Sequence, residues 1–222
     1  MQTLISPADQ ASRCAPTSLK LPQLLTITGR PGAGKDTQGE RIAKYYGFEM
    51  LKTSGILTAF ASSNPNHPDT LKINEAMQNG GLVPDDLVAR VVTPELASHI
   101  HEGKNVMPNG FPRNAEQYVV YRNQLSEMGI NKPWNLHIDI SEEIAIQRIL
   151  KGGRGRPDDT PDTVSQRMRI YHQMTAPMIE RMRKDEMVIS VEVTDPEETI
   201  DHLQERIRFM LESTFSHEFT IM

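Results

Sequence analysis

The chain has one cysteine and one tryptophan in 222 residues. A lone thiol, Cys14, closes no internal disulfide, which points away from a cross-linked secreted domain. No apolar run is long enough to span a bilayer, and residues 1–20 carry no basic start followed by an apolar stretch, so neither a membrane span nor a secretory signal is expected. A basic surface is missing too: 24 Lys and Arg face 29 Asp and Glu, a net charge of −5. That balance speaks against nucleic-acid or anionic-membrane partners, and an aromatic content of 5% leaves few rings on which bases would stack. Seven histidines, His99 and His101 among them, lack a companion cluster of cysteines or carboxylates and read as surface residues rather than metal ligands. What remains is a soluble cytoplasmic protein, expected to be a monomer, long enough for one domain with small insertions.

What is present is punctuated by glycine. Gly29-Arg30-Pro31-Gly32-Ala33-Gly34-Lys35-Asp36-Thr37 follows the apolar run Leu24 to Thr28 and opens a helical pattern from Gln38 to Tyr46. Strand, glycine loop and helix in that order form a phosphate cradle. Main-chain N–H groups point inward, the helix N-terminus adds partial positive charge, and the glycines let the backbone come close. Lys35 is set to reach the outer phosphates and Thr37 to offer a hydroxyl to Mg²⁺. Asp36 stands where most such loops carry Ser or Thr.

Short apolar runs then alternate with helical patterns. The candidate strands are Leu24 to Thr28, Phe48 to Lys52, Asn105 to Pro108, Leu136 to Ile140 and Met187 to Val193. Parallel neighbours need crossovers, so the expected class is α/β: a P-loop core with a five-stranded parallel sheet flanked by helices, ligands lying at the carboxyl ends of the strands. Ser141-Glu142-Glu143-Ile144 reads as a helix cap. Asp195-Pro196-Glu197-Glu198 reads as N-cap, first-turn proline and capping glutamate of a last helix whose apolar stripe is Ile200, Leu203, Ile207, Met210 and Leu211. Met168, Met174, Met178 and Met182 read as core. Two stretches break the alternation: residues 54–83, polar in the middle from Ser62 to Pro68, and Lys151 to Asp159, dense in glycine and charge. Beside a phosphate loop both are candidate lids. Residues 1–20 read as a flexible extension and 215–222 as a tail, with the domain proper at 21–214.

Asn109-Gly110-Phe111-Pro112-Arg113 follows the third strand, with Gln117 four residues on. A guanidinium at a strand's carboxyl end clamps a phosphate through paired hydrogen bonds, and a glutamine one helical turn later is set to read a base edge. Five motifs now stand in order: Gly-x-Pro-Gly-x-Gly-Lys, Thr53-Ser54-Gly55, Gly81-Leu82-Val83-Pro84, Gly110-Phe111-Pro112-Arg113 with Gln117, and Gly155-Arg156 with Asp158-Asp159. In these the chain resembles the adenylate kinase family of nucleoside monophosphate kinases from about Leu24 to Ile207. The resemblance implies a small helical monophosphate-binding insertion at about 54–83 and a short ATP lid at about 152–163. It implies that Gly32, Ala33, Gly34, Lys35, Asp36 and Thr37 hold the phosphates and Mg²⁺ of ATP. Arg148 would stack on the adenine, and Arg154, from a shortened lid, is a candidate substitute for the family's lid-entry arginine among the ATP-binding residues. Ser54, Gly81, Leu82, Val83, Gly110, Arg113 and Gln117 would bind the monophosphate. Lys35, Arg113, Arg156 and Arg167 would neutralise the transferring phosphoryl group, with Asp158 and Asp159 positioning lid arginines. Phe111 is expected to pack beneath the monophosphate site. The implied reaction is ATP plus AMP giving two ADP. Asn114, next to Arg113, looks more like the pyrimidine monophosphate branch, which makes UMP or CMP the alternative acceptor.

Four positions depart from the family pattern. Asp36 replaces a glycine, and Asn109 stands where the family has an aspartate that orders Mg²⁺ through water, so that Asp36 becomes a candidate for that role. Ala59 occupies the place of a phosphate-binding arginine, for which Lys52, His67 and Lys72 are candidate substitutes. Gly152 aligns with a lid-entry arginine. These losses also raise a different reading, a nucleotide-binding sensor with weak transfer. If the site is merely impaired, Asn109→Asp with Ala59→Arg is expected to raise turnover.

Overall fold

The computed structural model describes residues 19, 21–152, 160–185 and 187–217. The expected extension at residues 1–20 falls almost wholly outside them. So do four lid residues singled out above, Arg154, Arg156, Asp158 and Asp159.

Five strands build the sheet: β1 (Leu25–Thr28), β2 (Glu49–Lys52), β3 (Val106–Asn109), β4 (Trp134–Ile140) and β5 (Met187–Val193). Their order is β2-β3-β1-β4-β5 and every pairing is parallel. The chain leaves β1 for one side of the sheet and crosses after β3 to the other, so the direction of winding reverses beside β1, where α/β proteins bind ligands. All four residues of β1 are buried, as expected of a strand covered on both faces.

The helices are α1 (Lys35–Tyr46), α2 (Thr53–Ser63), α3 (Pro68–Gln78), α4 (Asp85–His101), α5 (Ala115–Glu127), α6 (Glu142–Gly152), α7 (Pro161–Ile170), α8 (Ala176–Asp185) and α9 (Ile200–His217). A π-helical turn, Tyr171–Thr175, joins α7 to α8. On one face of the sheet Ile42, Ala145, Leu203, Ile207 and Leu211 pack with Leu136 and Ile138. On the other, Leu87, Leu96, Tyr118, Tyr121 and Met178 form a second core. None of the described helices is long and apolar enough to cross a membrane.

The π turn has a local cause. Pro177 has no N–H to give the preceding turn and its ring crowds the carbonyl four residues back. Widening the turn, so that Ala176 N–H bonds Tyr171 O five residues back, makes room for it. Residues 54–83 form a helical pair, α2 and α3, joined through the polar stretch. His67 Nδ1 accepts the N–H of Asp69 and Pro68 takes the first helical position of α3.

Two details differ from the sequence reading. Asp195 caps only a turn, its Oδ1 accepting Glu197 N–H at 2.9 Å, and helix α9 starts at Ile200 under Thr199, whose Oγ1 accepts His202 N–H at 3.2 Å. Ile200 is therefore in the first turn and exposed, while Leu203, Ile207 and Leu211 carry the buried stripe. The helix also runs into the segment read as a tail. Phe215 is buried with its ring edge-on to Trp134, centroids 4.9 Å apart.

Candidate active site

The loop after β1 turns on positive-φ glycines. At Gly32, φ 84°, a Cβ would stand 2.6 Å from the carbonyl oxygen of Ala145, so only glycine fits between the loop and α6. Gly34 (φ 88°) is the N-cap of α1, which gives the helix N-terminus to the loop. Lys35 Nζ donates to Arg30 O at 2.8 Å, which folds the ammonium back over the loop. Arg30 is held behind it, 14% exposed, 5.0 Å from the Tyr171 ring centroid and 3.7 Å from Glu142.

A cleft of about 240 Å³ runs from this loop across the carboxyl ends of β1, β3 and β2 to the α2–α4 segment, with α7 and the π turn as its far wall. The expected site residues Gly32, Lys35, Asp36, Ser54, Gly81, Leu82, Val83, Gly110, Arg113, Gln117 and Arg167 line it, and so does Asn109. Ala33 is fully buried behind the loop, Thr37 is exposed on the first turn of α1, and neither borders the cleft. Arg148 does not border it either. Its guanidinium lies 3.5 Å from Asp195 O and 3.4 Å from Glu198 O.

The cleft is closed by contacts between segments far apart in sequence. Gly80 lies against α7: a Cβ there would stand 3.5 Å from Arg167 Nε. Thr175 in the π turn donates to Arg113 O at 2.8 Å. Arg113 Nε donates to Gly110 O at 2.8 Å, and at φ 93° a Cβ on Gly110 would stand 2.9 Å from the Arg113 guanidinium. Phe111 is buried below, edge-on to Tyr121.

Gln117 borders the cleft but is 2% exposed and strongly tied down. Its Oε1 accepts Arg113 N–H at 2.8 Å and its Nε2 donates to Asp85 Oδ1 at 2.8 Å. Asn114 also donates to Asp85, at 2.7 Å, and caps α5 by accepting Gln117 N–H. A carboxamide has two N–H groups, so one lies outside these bonds. The pair Asp36 and Asn109 meets directly: Asn109 Nδ2 donates to Asp36 Oδ1 at 2.7 Å.

Sequence reasoning missed Tyr171, Thr175 and His137. The only local signal for the first two was Pro177 within a helical pattern. His137 corrects the surface reading of the histidines: it is 2% exposed in the middle of β4, opposite Thr28. Thr28 Oγ1 donates to Asn135 Oδ1 at 2.9 Å, so it accepts from His137 Nδ1 at 3.0 Å, which defines the tautomer. Burial pushes the His137 pKa down from 6.5 to about 4, with Asp139 opposing and Arg183, Lys35 and Arg30 adding to the shift. Between those two values the unfolded chain binds a proton that the folded chain does not, so stability is full above pH 6.5 and falls as pH drops towards 4, by about 3 kcal/mol in total. Denaturant melts from pH 7 to 5 are expected to show this slope in the parent and a flatter one in His137→Gln. Equal slopes would remove the assignment.

The adenylate kinase family model matches residues 27–187. The chain is 34% identical to an adenylate kinase of Phocaeicola vulgatus over 70% of its own length and 82% of that protein. It is 34% identical to an adenylate kinase of Thermus thermophilus over 71% and 81%, and 30% identical to human adenylate kinase isoenzyme 1 over 72% and 81%. The match takes in the glycine loop, the Gly110 to Arg113 turn and Arg167, the same three parts that the fold brings to one cleft. The chain belongs to the adenylate kinase family of phosphotransferases.

Proposed function

We propose that the chain is a Mg²⁺-dependent nucleoside monophosphate kinase that moves the γ-phosphoryl group of ATP to AMP, giving two ADP. The observation that carries this reading is the single continuous cleft shared by the phosphate loop and the Arg113 turn, with Arg167 opposite. An oxygen of the acceptor phosphate forms its bond to the γ-phosphorus as the bond from that phosphorus to the bridging oxygen breaks. No covalent intermediate on the protein is required, so the work is alignment and neutralisation of charge. The loop N–H groups and Lys35 hold the donor phosphates, Arg113 holds the acceptor phosphate, and Arg167 faces the transferring group from α7. The free N–H of Gln117 suits an acceptor atom on the adenine edge.

Of the oxygen donors expected to hold Mg²⁺, Thr37 lies exposed on the first turn of α1 outside the cleft, whereas Asp36 borders it beside Asn109. When bound there the ion neutralises phosphate oxygens. Asn114 caps α5 and donates to Asp85, which is a structural use of the residue beside the acceptor-side resemblance that raised UMP or CMP as the alternative.

The test is diphosphate formation with Mg-ATP and, separately, AMP, CMP, UMP and GMP, with Lys35→Ala as the blank. AMP is expected to turn over above the blank. Turnover of CMP or UMP alone would transfer the assignment to the pyrimidine acceptor. ATP binding without any turnover would replace the kinase reading by a nucleotide sensor.

A further inference from the structure

We propose that Lys52 supplies the cation that grips the acceptor's phosphate on the side where Ala59 offers none. The assignment rests on the kinase reading above. Lys52 is the last residue of β2, in register with Asn109 of β3, which neighbours β1. Adjacent strands are about 4.8 Å apart. Along the carboxyl edge of the sheet therefore come the phosphate loop after β1, then Arg113 after β3, then Lys52 after β2. The donor triphosphate belongs to the first, so Lys52 lies on the acceptor side.

The other two candidates are committed elsewhere. Lys72 lies 3.3 Å from Asp69, a carboxylate that also takes Arg90 at 2.7 Å, and His67 caps α3 with its ring against Phe60. Neither borders the cleft, and Ala59 is exposed on α2 away from it. Lys52 does border it, and the partner given by its geometry is the exposed carboxylate of Glu40. Such a surface pair is weak and easily exchanged for a phosphate dianion. A second observation marks the same spot. Thr53, directly after Lys52, is 6% exposed and borders the cleft, and its Oγ1 is buried without a hydrogen-bond partner among the described residues. That hydroxyl and the Arg113 guanidinium flank the same point: a Cβ on Gly110 would stand 3.4 Å from one and 2.9 Å from the other. Lys52 and Thr53 thus both border the cleft at the start of α2, with the Arg113 guanidinium beside the Thr53 hydroxyl, and an ammonium, a hydroxyl and a guanidinium are donors matched to a phosphate monoester.

Calorimetric binding of AMP and of adenosine to the parent, Lys52→Met and Lys72→Met tests this. AMP affinity is expected to fall about 10- to 100-fold in Lys52→Met, the loss of one charge-assisted contact, with adenosine affinity and the Lys72→Met values unchanged. A second variant guards against a folding defect. Glu40→Gln releases Lys52 and is expected to tighten AMP binding about twofold to fivefold, an effect absent in the Lys52→Met background. Unchanged AMP affinity in Lys52→Met, or equal losses for AMP and adenosine, overturns the Lys52 assignment alone. A parent that binds ATP but no monophosphate overturns the kinase reading with it.

Discussion

Lys35→Ala is expected to lower kcat/KM for phosphoryl transfer about 10²- to 10³-fold, the usual cost of removing one preorganised donor from developing negative charge. The fall should lie mainly in kcat. On the proposed reading the loop N–H groups should still bind ATP, while the ammonium, which the structure holds over the loop 2.8 Å from Arg30 O, should matter most as charge moves to the bridging oxygen. Stability should change by less than about 1 kcal/mol, roughly 2–4 °C in Tm, because the ammonium borders the cleft rather than the core. Initial rates at saturating ATP, set beside a thermal melt, check both halves. A kcat within threefold of the parent would mean that Lys35 does not act on the transferring group.

The second large effect concerns Asn109. The family residue there is aspartate, and its return together with Ala59→Arg is the change expected from sequence to raise turnover. In the structure Asn109 is 6% exposed and donates to Asp36 at 2.7 Å. Asn109→Asp replaces that donor with a second carboxylate, and two carboxylates so close do not both ionise without cost. Losing a charge-assisted hydrogen bond and gaining a repulsion is expected to destabilise the metal-free protein by about 2–4 kcal/mol at neutral pH. The cost should shrink as pH falls, since one carboxyl of the folded pair has its pKa raised and is protonated first. Asp36→Asn with Asn109→Asp exchanges donor and acceptor and should return stability to within about 1 kcal/mol of the parent. Turnover should improve only in that double variant. Urea melts without nucleotide or metal decide the matter: a single variant as stable as the parent, or a double variant no better than the single, would show that the pair is not coupled.

Part of this candidate site is legible in the sequence because its chemistry is local. Gly32 and Gly34 are needed within a loop of a few residues, and their spacing from Lys35 announces the cradle. Arg113 and Gln117 lie one helical turn apart after β3, so their placement beside one site is readable too, whereas the bond from Arg113 N–H to Gln117 Oε1 is not. Asp195 misled for an equally local reason: aspartate, proline and glutamate in order fit a turn as well as a helix start, and only the packing of Leu203 and Ile207 against the sheet selects where α9 begins.

By itself the sequence determined the class of fold, the family and the phosphate loop, because strand length, helical period and glycine spacing are properties of a dozen neighbouring residues. Tertiary structure alone decided that Asp36 and Asn109 are one hydrogen-bonded pair, that Gln117 is tied to Asp85, that His137 is buried, and that Lys52 rather than Lys72 or His67 borders the cleft. Each of those depends on how segments distant in sequence pack together, and hydrogen bonds and ion pairs reach only a few ångströms. The order β2-β3-β1-β4-β5, which no local period encodes, sets Asn109 in reach of Asp36, Lys52 beside Asn109, and His137 opposite Thr28.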